Sequence, residues 1–263
     1  MLSGELKQMI HSSAVVHKKA LIGAECVIGP YCVIGENVTL GDRCHLHSHV
    51  IIDGHTTLGE GNEVFPFASI GLKTQDLKWK GGCTRTQIGS NNTFREYVTI
   101  HSATGEGELT SVGSHNHILA YCHIAHNVVL GDYVIMSNVA TLAGHIAVED
   151  RAVIGGLAAV HQFCRIGTMS IIGGCSKVVQ DVPPYMLADG NPARTRTVNK
   201  VGLDRNGVSE PAQAALKQAY KILFRERLTI PNALAKIESS VPPLPELRRL
   251  ADFVRTSERG ISK

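Results

Sequence analysis

The stretch VVHKKALIGAECVIGPYCVIGENVTLGDRCHLHSHVII, residues 15–52, decides the fold. Every sixth residue in it is aliphatic: Val16, Ile22, Ile28, Ile34, Leu40, Leu46 and Ile52. The frame opens at Ile10, runs to Ile70, returns unshifted at Ile88, Phe94 and Ile100, and runs again from Val112 to Val178. Glycine often follows, as at Gly23, Gly29, Gly35, Gly41, Gly131 and Gly167, and the fifth residue of each six is small or β-branched. Such a repeat outranks local propensity. Each hexad reads as a short strand and a tight turn. Its first side chain points inward, its fifth fills the remaining interior, and glycine supplies the turn dihedrals. Three hexads make a coil of about 18 residues, and stacked coils pair their strands in parallel about 4.8 Å apart.

The composition of the 263-residue chain agrees. Aromatic residues make up 5%, with Trp79 the only tryptophan, whereas glycine occurs 26 times. That is too few rings for a thick globular core and suits a narrow one. The hydrophobic fraction of 43% excludes disorder. No apolar run reaches the roughly 18–20 residues of a membrane span, and MLSGELKQMIHSSAVV lacks the pattern of a secretory leader. A net charge of +3 is too mild for nucleic-acid binding. Seven cysteines without a CxxC pair read as free thiols in a reducing cytoplasm. Five of them (Cys26, Cys32, Cys44, Cys122, Cys164) hold the fifth hexad position and read as core filler.

The frame lapses at residues 73–87 and about 102–111, both polar and glycine-bearing, as expected of loops that carry function. Pro183 and Pro184, which lack amide donors, are expected to end the coil. From Ser209, a candidate cap, the spacing of Ala215, Ala219, Ile222 and Leu223 is helical, and Pro231 and Pro242–Pro243 divide the tail into three helices. The chain thus reads as a hexapeptide-repeat coil over 1–190 and a linker with a helical domain over 191–263.

Residues 18 apart stack on successive coils. His126, Gly144 and Gln162 therefore form one outward column at the third hexad position, with His123, His145 and His161 beside it. Singly, each histidine suits a solvated surface; clustered on a stacked glycine, they suit a site. An imidazole can act as general base near neutral pH, and the Gly144 N–H can donate to an oxyanion, such donors being worth about 3–4 kcal/mol. No serine, threonine or cysteine sits in a nucleophile turn, so direct attack by a substrate hydroxyl is the simplest chemistry.

The ordered motifs QDLKWKG (75–81), HIAHN (123–127), TLAGH (141–145), VHQF (160–163), GGCSKVVQDVPPY (173–185), GNPA (190–193) and RGI (259–261) cover nearly the whole chain. They resemble the UDP-N-acetylglucosamine O-acyltransferases of lipid A biosynthesis, within the hexapeptide-repeat, left-handed β-helix superfamily. The resemblance implies a cytoplasmic homotrimer with active sites between subunits. It implies transfer of an (R)-3-hydroxyacyl chain from acyl carrier protein to the 3-hydroxyl of UDP-GlcNAc, with no cofactor or metal beyond the carrier's phosphopantetheine arm. By motif, His126 becomes the general base and the Gly144 amide the oxyanion donor. Asp76, Lys78, His123 and His145 hold the sugar, Gln75, His161 and Gln162 line the nucleotide, and Asn199 and Arg205 lie near its phosphates and uracil. Gly174 matches the position that limits acyl length, and glycine there implies a long chain, about C14; by the 18-residue rule it stacks on Asn138 and Gly156.

Three departures stand out. Asn127 replaces an aspartate that several relatives carry after the base, which weakens electrostatic support of a histidinium. Val201 replaces an acidic residue, and Ala120–Tyr121–Cys122 differs from the commonest version. They leave open a 3-amino UDP-sugar as acceptor. Other readings are an N-acyltransferase or coenzyme A-dependent acetyltransferase, a non-catalytic scaffold, and a γ-type carbonic anhydrase. The last needs three converging imidazoles and a nearby carboxylate, and HIAH has no carboxylate beside it. His45, His47 and His49 read as surface. Arg165, Lys177, Arg194 and Arg196 are candidate contacts for an acidic carrier protein.

Overall fold

The computed structural model describes residues 9–263. Residues 1–8, which belong to the 1–190 reading and to the reading of the N-terminus, lie outside the described residues. Among the described residues, mostly two-residue strands stack into three sheets, the faces of a left-handed parallel β-helix. Face A opens with Met9–Ile10, face B with Val15–Val16 and face C with Leu21–Ile22.

The hexad frame is the interior. Ile28, Leu46, Val64, Phe94, Ile118, Met136 and Ile154 are buried one above another along face A, each worth about 1.5–3 kcal/mol relative to exposure. Cys26, Cys32, Cys44, Cys122 and Cys164 are fully buried beside that frame, and all seven cysteines are free. Burial in this apolar interior pushes the thiols of Cys44, Cys122 and Cys164 up to about 11. The fifth position is less uniform than small or β-branched. Asn62, Asn92 and Asn116 occupy it on adjacent coils as a buried ladder, Asn92 Nδ2 donating to Asn62 Oδ1 at 2.9 Å and to the Gly113 carbonyl at 3.0 Å. At Asn62 and Asn92 both ends of the amide find backbone or side-chain partners, whereas Asn116 accepts from the Val134 N–H and its Nδ2 is buried without a partner among the described residues.

Apart from Gly71 (φ 81°), the glycines after the frame residues answer a different need from turn dihedrals. A Cβ at Gly23 would lie 2.5 Å from the Gly41 carbonyl carbon, and one at Gly29 would lie 2.8 Å from that of His47. Close approach of successive coils excludes a side chain. The left-handed backbone falls two residues later, on side-chain-bearing residues such as Tyr31 (φ 60°), Tyr121 (63°) and His145 (58°).

On face B, Ile124 pairs with Leu142 and Leu142 with Val160, the expected 18-residue offset. Across the lapses, Ile70 pairs with Ile100 and Ile100 with Ile124, offsets of 30 and 24. Both excesses are multiples of six, so the frame returns unshifted while the stacking rule breaks. Strands begin at Arg85 and Leu109, inside the stretches read as loops, because Thr86, Ile88, Thr110 and Val112 turn inward. Both loops leave the edge between faces B and C.

Pro183 and Pro184 do not end the stack. Met186–Gly190 adds one more parallel strand to face A, and Ala193–Val198, within the expected linker, folds back on it antiparallel. The prolines lie where no ladder amide is required. Helix α1 (Lys200–Arg205) precedes the expected α2 (Glu210–Arg225), α3 (Ile230–Ser240) and α4 (Pro245–Arg255). Ser209 caps α2, its hydroxyl accepting from the Ala212 N–H. Leu216, Ala219, Leu223, Ile237 and Leu250 pack against Tyr185 and Met186 at the end of the coil. Arg165 joins this junction, with its guanidinium over the Phe253 ring and bonded to Thr256, so it serves packing rather than standing free for a partner. Arg194 donates to the Lys263 carbonyl.

Candidate active site

A cleft of about 620 Å³ opens on the B–C edge, lined by Gln75, Asp76, Lys78, His123, His126, Gly144 and Gln162 among others. The stacked column arises because each of its members follows a face B strand by two residues. The loop members arrive because residues 73–84 fold over the same edge. There the Thr74 hydroxyl bonds that of Thr104 in the second loop at 3.1 Å, and Asp76 closes a turn by accepting from the Lys78 N–H at 2.9 Å. Asp76 places Oδ2 3.8 Å from His126 Nε2. The cluster therefore does have a carboxylate nearby, supplied by a loop distant in sequence. The Lys78 N–H, with the neighbouring His126, holds the Asp76 carboxyl below its ordinary range.

The His126 ring is packed closely against Gly144: a Cβ there would be 2.3 Å from Cε1 and 2.4 Å from Nε2. Its other nitrogen, Nδ1, is 3.0 Å from Asn127 Oδ1. The tautomer follows from a backbone donor. The Thr104 N–H donates to the same Oδ1 at 3.1 Å, which fixes that atom as an oxygen, and only a protonated Nδ1 then bonds to it. Nε2 is left as a base facing the cleft. Among the described residues the Gly144 N–H donates to no acceptor, so the cleft has an unused backbone donor beside that base.

Burial disfavours the charged form of His101, His123 and His145. Burial, with His101 and His126 nearby, pushes His123 down to about 4, and its Nδ1 lies 2.7 Å from the Thr99 hydroxyl. His101 is lowered by burial too. Its ring meets that of His123 edge-on at 5.1 Å, and it lines the cleft. The sequence reading missed His101 because it stacks under Ala125 across a 24-residue offset, outside the 18-residue rule. His145 meets His126 edge-on at 5.1 Å and stacks on Phe163 at 4.8 Å; burial lowers it as well.

Other candidates fall elsewhere on this chain. His161 is exposed beside Gln162. Asn199 is buried as the N-cap of α1, accepting from the Gly202 N–H and donating to the Met169 carbonyl, and Arg205 is exposed in the last turn of that helix. Neither lines the cleft. Val201 is exposed on α1. Gly174 lies on the A–B edge, directly over Gly156, and a Cβ there would stand 3.3 Å from the Gly156 carbonyl oxygen. The same edge carries Tyr31, Phe67, Tyr97, Tyr121, Val139 and Leu157, all exposed. The departure at Ala120–Tyr121–Cys122 thus points to that edge and to the core rather than into the cleft. His45, His47 and Glu63 converge within 4.8 Å, but His47 Nε2 already bonds Glu63 at 2.9 Å, and His49 stacks apart from them on Phe67.

Comparison with known proteins agrees with this architecture. Residues 181–262 match the family described as Udp N-acetylglucosamine O-acyltransferase, domain 2, and residues 19–54 match the bacterial transferase hexapeptide repeat. The acyl-[acyl-carrier-protein]–UDP-N-acetylglucosamine O-acyltransferase of Gloeothece citriformis is 44% identical over 208 residues, 79% of this chain and 75% of that protein. The chain belongs to the UDP-N-acetylglucosamine O-acyltransferase family. The Synechocystis acyltransferase of the same name is 45% identical over 191 residues, 73% of this chain and 69% of its own. LpxA of Acinetobacter baumannii superposes with a TM-score of 0.94 at 43% identity, covering 97% of this chain and all of that one. The Arabidopsis UDP-N-acetylglucosamine acyltransferase gives 0.86 at 36%, with 97% and 100% coverage. The UDP-N-acetylglucosamine O-acyltransferase fold thus extends through the helical tail.

Proposed function

We propose that the protein transfers an (R)-3-hydroxyacyl chain from acyl carrier protein to the 3-hydroxyl of UDP-GlcNAc, the first step of lipid A biosynthesis. The observation that carries this reading is the His126 ring packed against Gly144, with Nε2 in no hydrogen bond among the described residues, beside an unused backbone donor. The sugar 3-oxygen attacks the thioester carbonyl while Nε2 takes its proton. The Gly144 N–H donates to the oxyanion as the carbon becomes tetrahedral. Collapse breaks the carbon–sulfur bond, and the imidazolium returns the proton to the departing thiolate. Asp76 and Lys78 hold the sugar with His123 and His145, and Gln75, His161 and Gln162 follow the nucleotide. The enzyme needs no cofactor of its own, only the carrier's phosphopantetheine thioester, and no metal. Seven free cysteines suit a reducing cytoplasm.

The complete site forms in a homotrimer. The exposed apolar A–B edge suits a contact with the B–C edge of a neighbour, as does Leu77, fully exposed at the loop tip over the cleft. That arrangement lets Gly174, Asn199 and Arg205 act on a cleft they do not reach within their own chain. Glycine at position 174 leaves that edge without a side chain, which suits a long acyl chain.

The test is incubation of purified protein with UDP-GlcNAc and a panel of 3-hydroxyacyl carrier proteins, alongside His126→Ala. Long chains are expected to be transferred best, with the variant losing about 10³-fold or more of kcat at unchanged melting temperature. No product with any chain refutes the assignment, and a preference for the 3-amino analogue of the sugar redirects it.

A further inference from the structure

We infer that Glu108 positions the His126 imidazole through Asn127, the two loop and coil residues completing a carboxylate–amide–imidazole chain. This rests on the reading of His126 as the general base. Each link is a hydrogen bond. His126 Nδ1–H donates to Asn127 Oδ1 at 3.0 Å, and Asn127 Nδ2 donates to Glu108 Oε2 at 2.8 Å. The Gly105 N–H, also in the second loop, donates to Oε2 at 2.7 Å. The Thr104 N–H on Oδ1 and the carboxylate on Nδ2 together select one orientation of the amide. The backbone N–H of Asn127 is tied to the Thr110 hydroxyl at 2.8 Å, which anchors the residue on the strand that follows this loop.

Sequence spacing conceals the chain, since Glu108 lies 19 residues before Asn127 and ends the six-residue insertion. A carboxylate fixing an imidazole tautomer is a recurring device, but here a neutral amide stands between the two. The amide passes on orientation, and the carboxylate adds a negative charge one residue further out. The Asn127 amide and the Gly105 N–H hold the Glu108 carboxyl below its ordinary range, so it is charged at neutral pH. Other groups facing His126 are Asp76 from the first loop, His145 from the next coil, and His101 and His123 from face B. Lys78 acts on both Asp76 and His145.

The test compares Glu108→Ala, Glu108→Gln and wild type in the full-length protein. Two readouts are used: the pH profile of acyl transfer, and the His126 tautomer from side-chain ¹⁵N spectra assigned with His126→Gln. Glu108→Ala is expected to lower kcat about tenfold with KM for the UDP-sugar within about twofold, because a loosened base affects the chemical step more than binding. Its His126 spectrum should lose the pure Nδ1–H form. Glu108→Gln still accepts from Asn127 but has no charge. It should cost less than Glu108→Ala and move the acid limb of kcat/KM to lower pH, since the imidazolium loses a stabilising anion. Unchanged kcat and tautomer in Glu108→Ala overturn the inference, as does a loss that falls wholly in KM. Because the tautomer is read without substrate, absence of acyl transfer in wild type refutes the reaction and leaves the positioning role separately testable.

Discussion

Gly144→Ala is the sharpest single test of the site. Gly144 does not adopt the left-handed backbone that disfavours a side chain, so the effect of alanine there must come from space. The new methyl would lie 2.3 Å from His126 Cε1 and 2.4 Å from Nε2, whereas ordinary contact begins at 3.4 Å. The imidazole must therefore retreat by about 1.1 Å, and a misplacement near 1 Å costs about 10²-fold in rate. That corresponds to about 2.7 kcal/mol in the barrier. The displaced ring also strains the 3.0 Å bond from Nδ1 to Asn127. Stability should suffer little, because the ring is only partly buried and can turn toward the cleft. The assay is steady-state acyl transfer from a 3-hydroxyacyl carrier protein to UDP-GlcNAc, with thermal unfolding measured on the same preparation. A folded Gly144→Ala enzyme that keeps kcat within about threefold of wild type refutes the stacked base-and-donor arrangement.

Three further expectations concern the coil. His123, held at about 4 by burial, titrates near 6.5 when unfolded. The unfolded chain binds the extra proton in that window, so stability is full above pH 6.5 and falls as pH drops toward 4, by on the order of 2 kcal/mol for this residue. Denaturant titrations at several pH values should detect it, and His123→Gln should flatten the slope; an unaltered slope contradicts it. Asn92→Ala breaks the buried amide ladder, taking the side-chain donor from the Gly113 carbonyl and the acceptor from the Asn116 N–H, while the backbone N–H of residue 92 still reaches Asn62 Oδ1. A loss of about 2–4 kcal/mol in chemical denaturation is expected, and a neutral result would mean water replaces the amide. With a thiol reagent under native conditions, half-buried Cys83 in the first loop should react well before any interior cysteine. The five interior cysteines should react only on unfolding, and rapid modification of Cys122 would contradict their place in the core.

Ile124, Leu142 and Val160 illustrate what is legible in the sequence. A hexad frame specifies which side chains enter a prism, and a fixed 18-residue offset then specifies which outward residues share a column. His126, Gly144 and Gln162 lie beyond the second lapse, where that offset holds, and their meeting is readable from spacing alone. His101 and Glu108 are not. Each reaches the site across an insertion, and an insertion of six or twelve residues preserves the frame while changing the stack. Apart from Gly71, the glycines after the frame residues are required by crowding between coils rather than by turn dihedrals, and that crowding cannot be seen within a single hexad.

The sequence by itself therefore determined the coil, its narrow ring-poor core, the helical tail with the Ser209 cap, and the column that carries the base. These rest on local periodicity, which stays the same wherever the chain lies in space. Tertiary structure alone decided that Asp76, His101 and Glu108 reach His126, that Nδ1 carries its proton, and that Gly174 lies on a different edge of the prism. Those outcomes depend on where two loops fold back and on which backbone N–H groups remain to be satisfied, and neither quantity has a period.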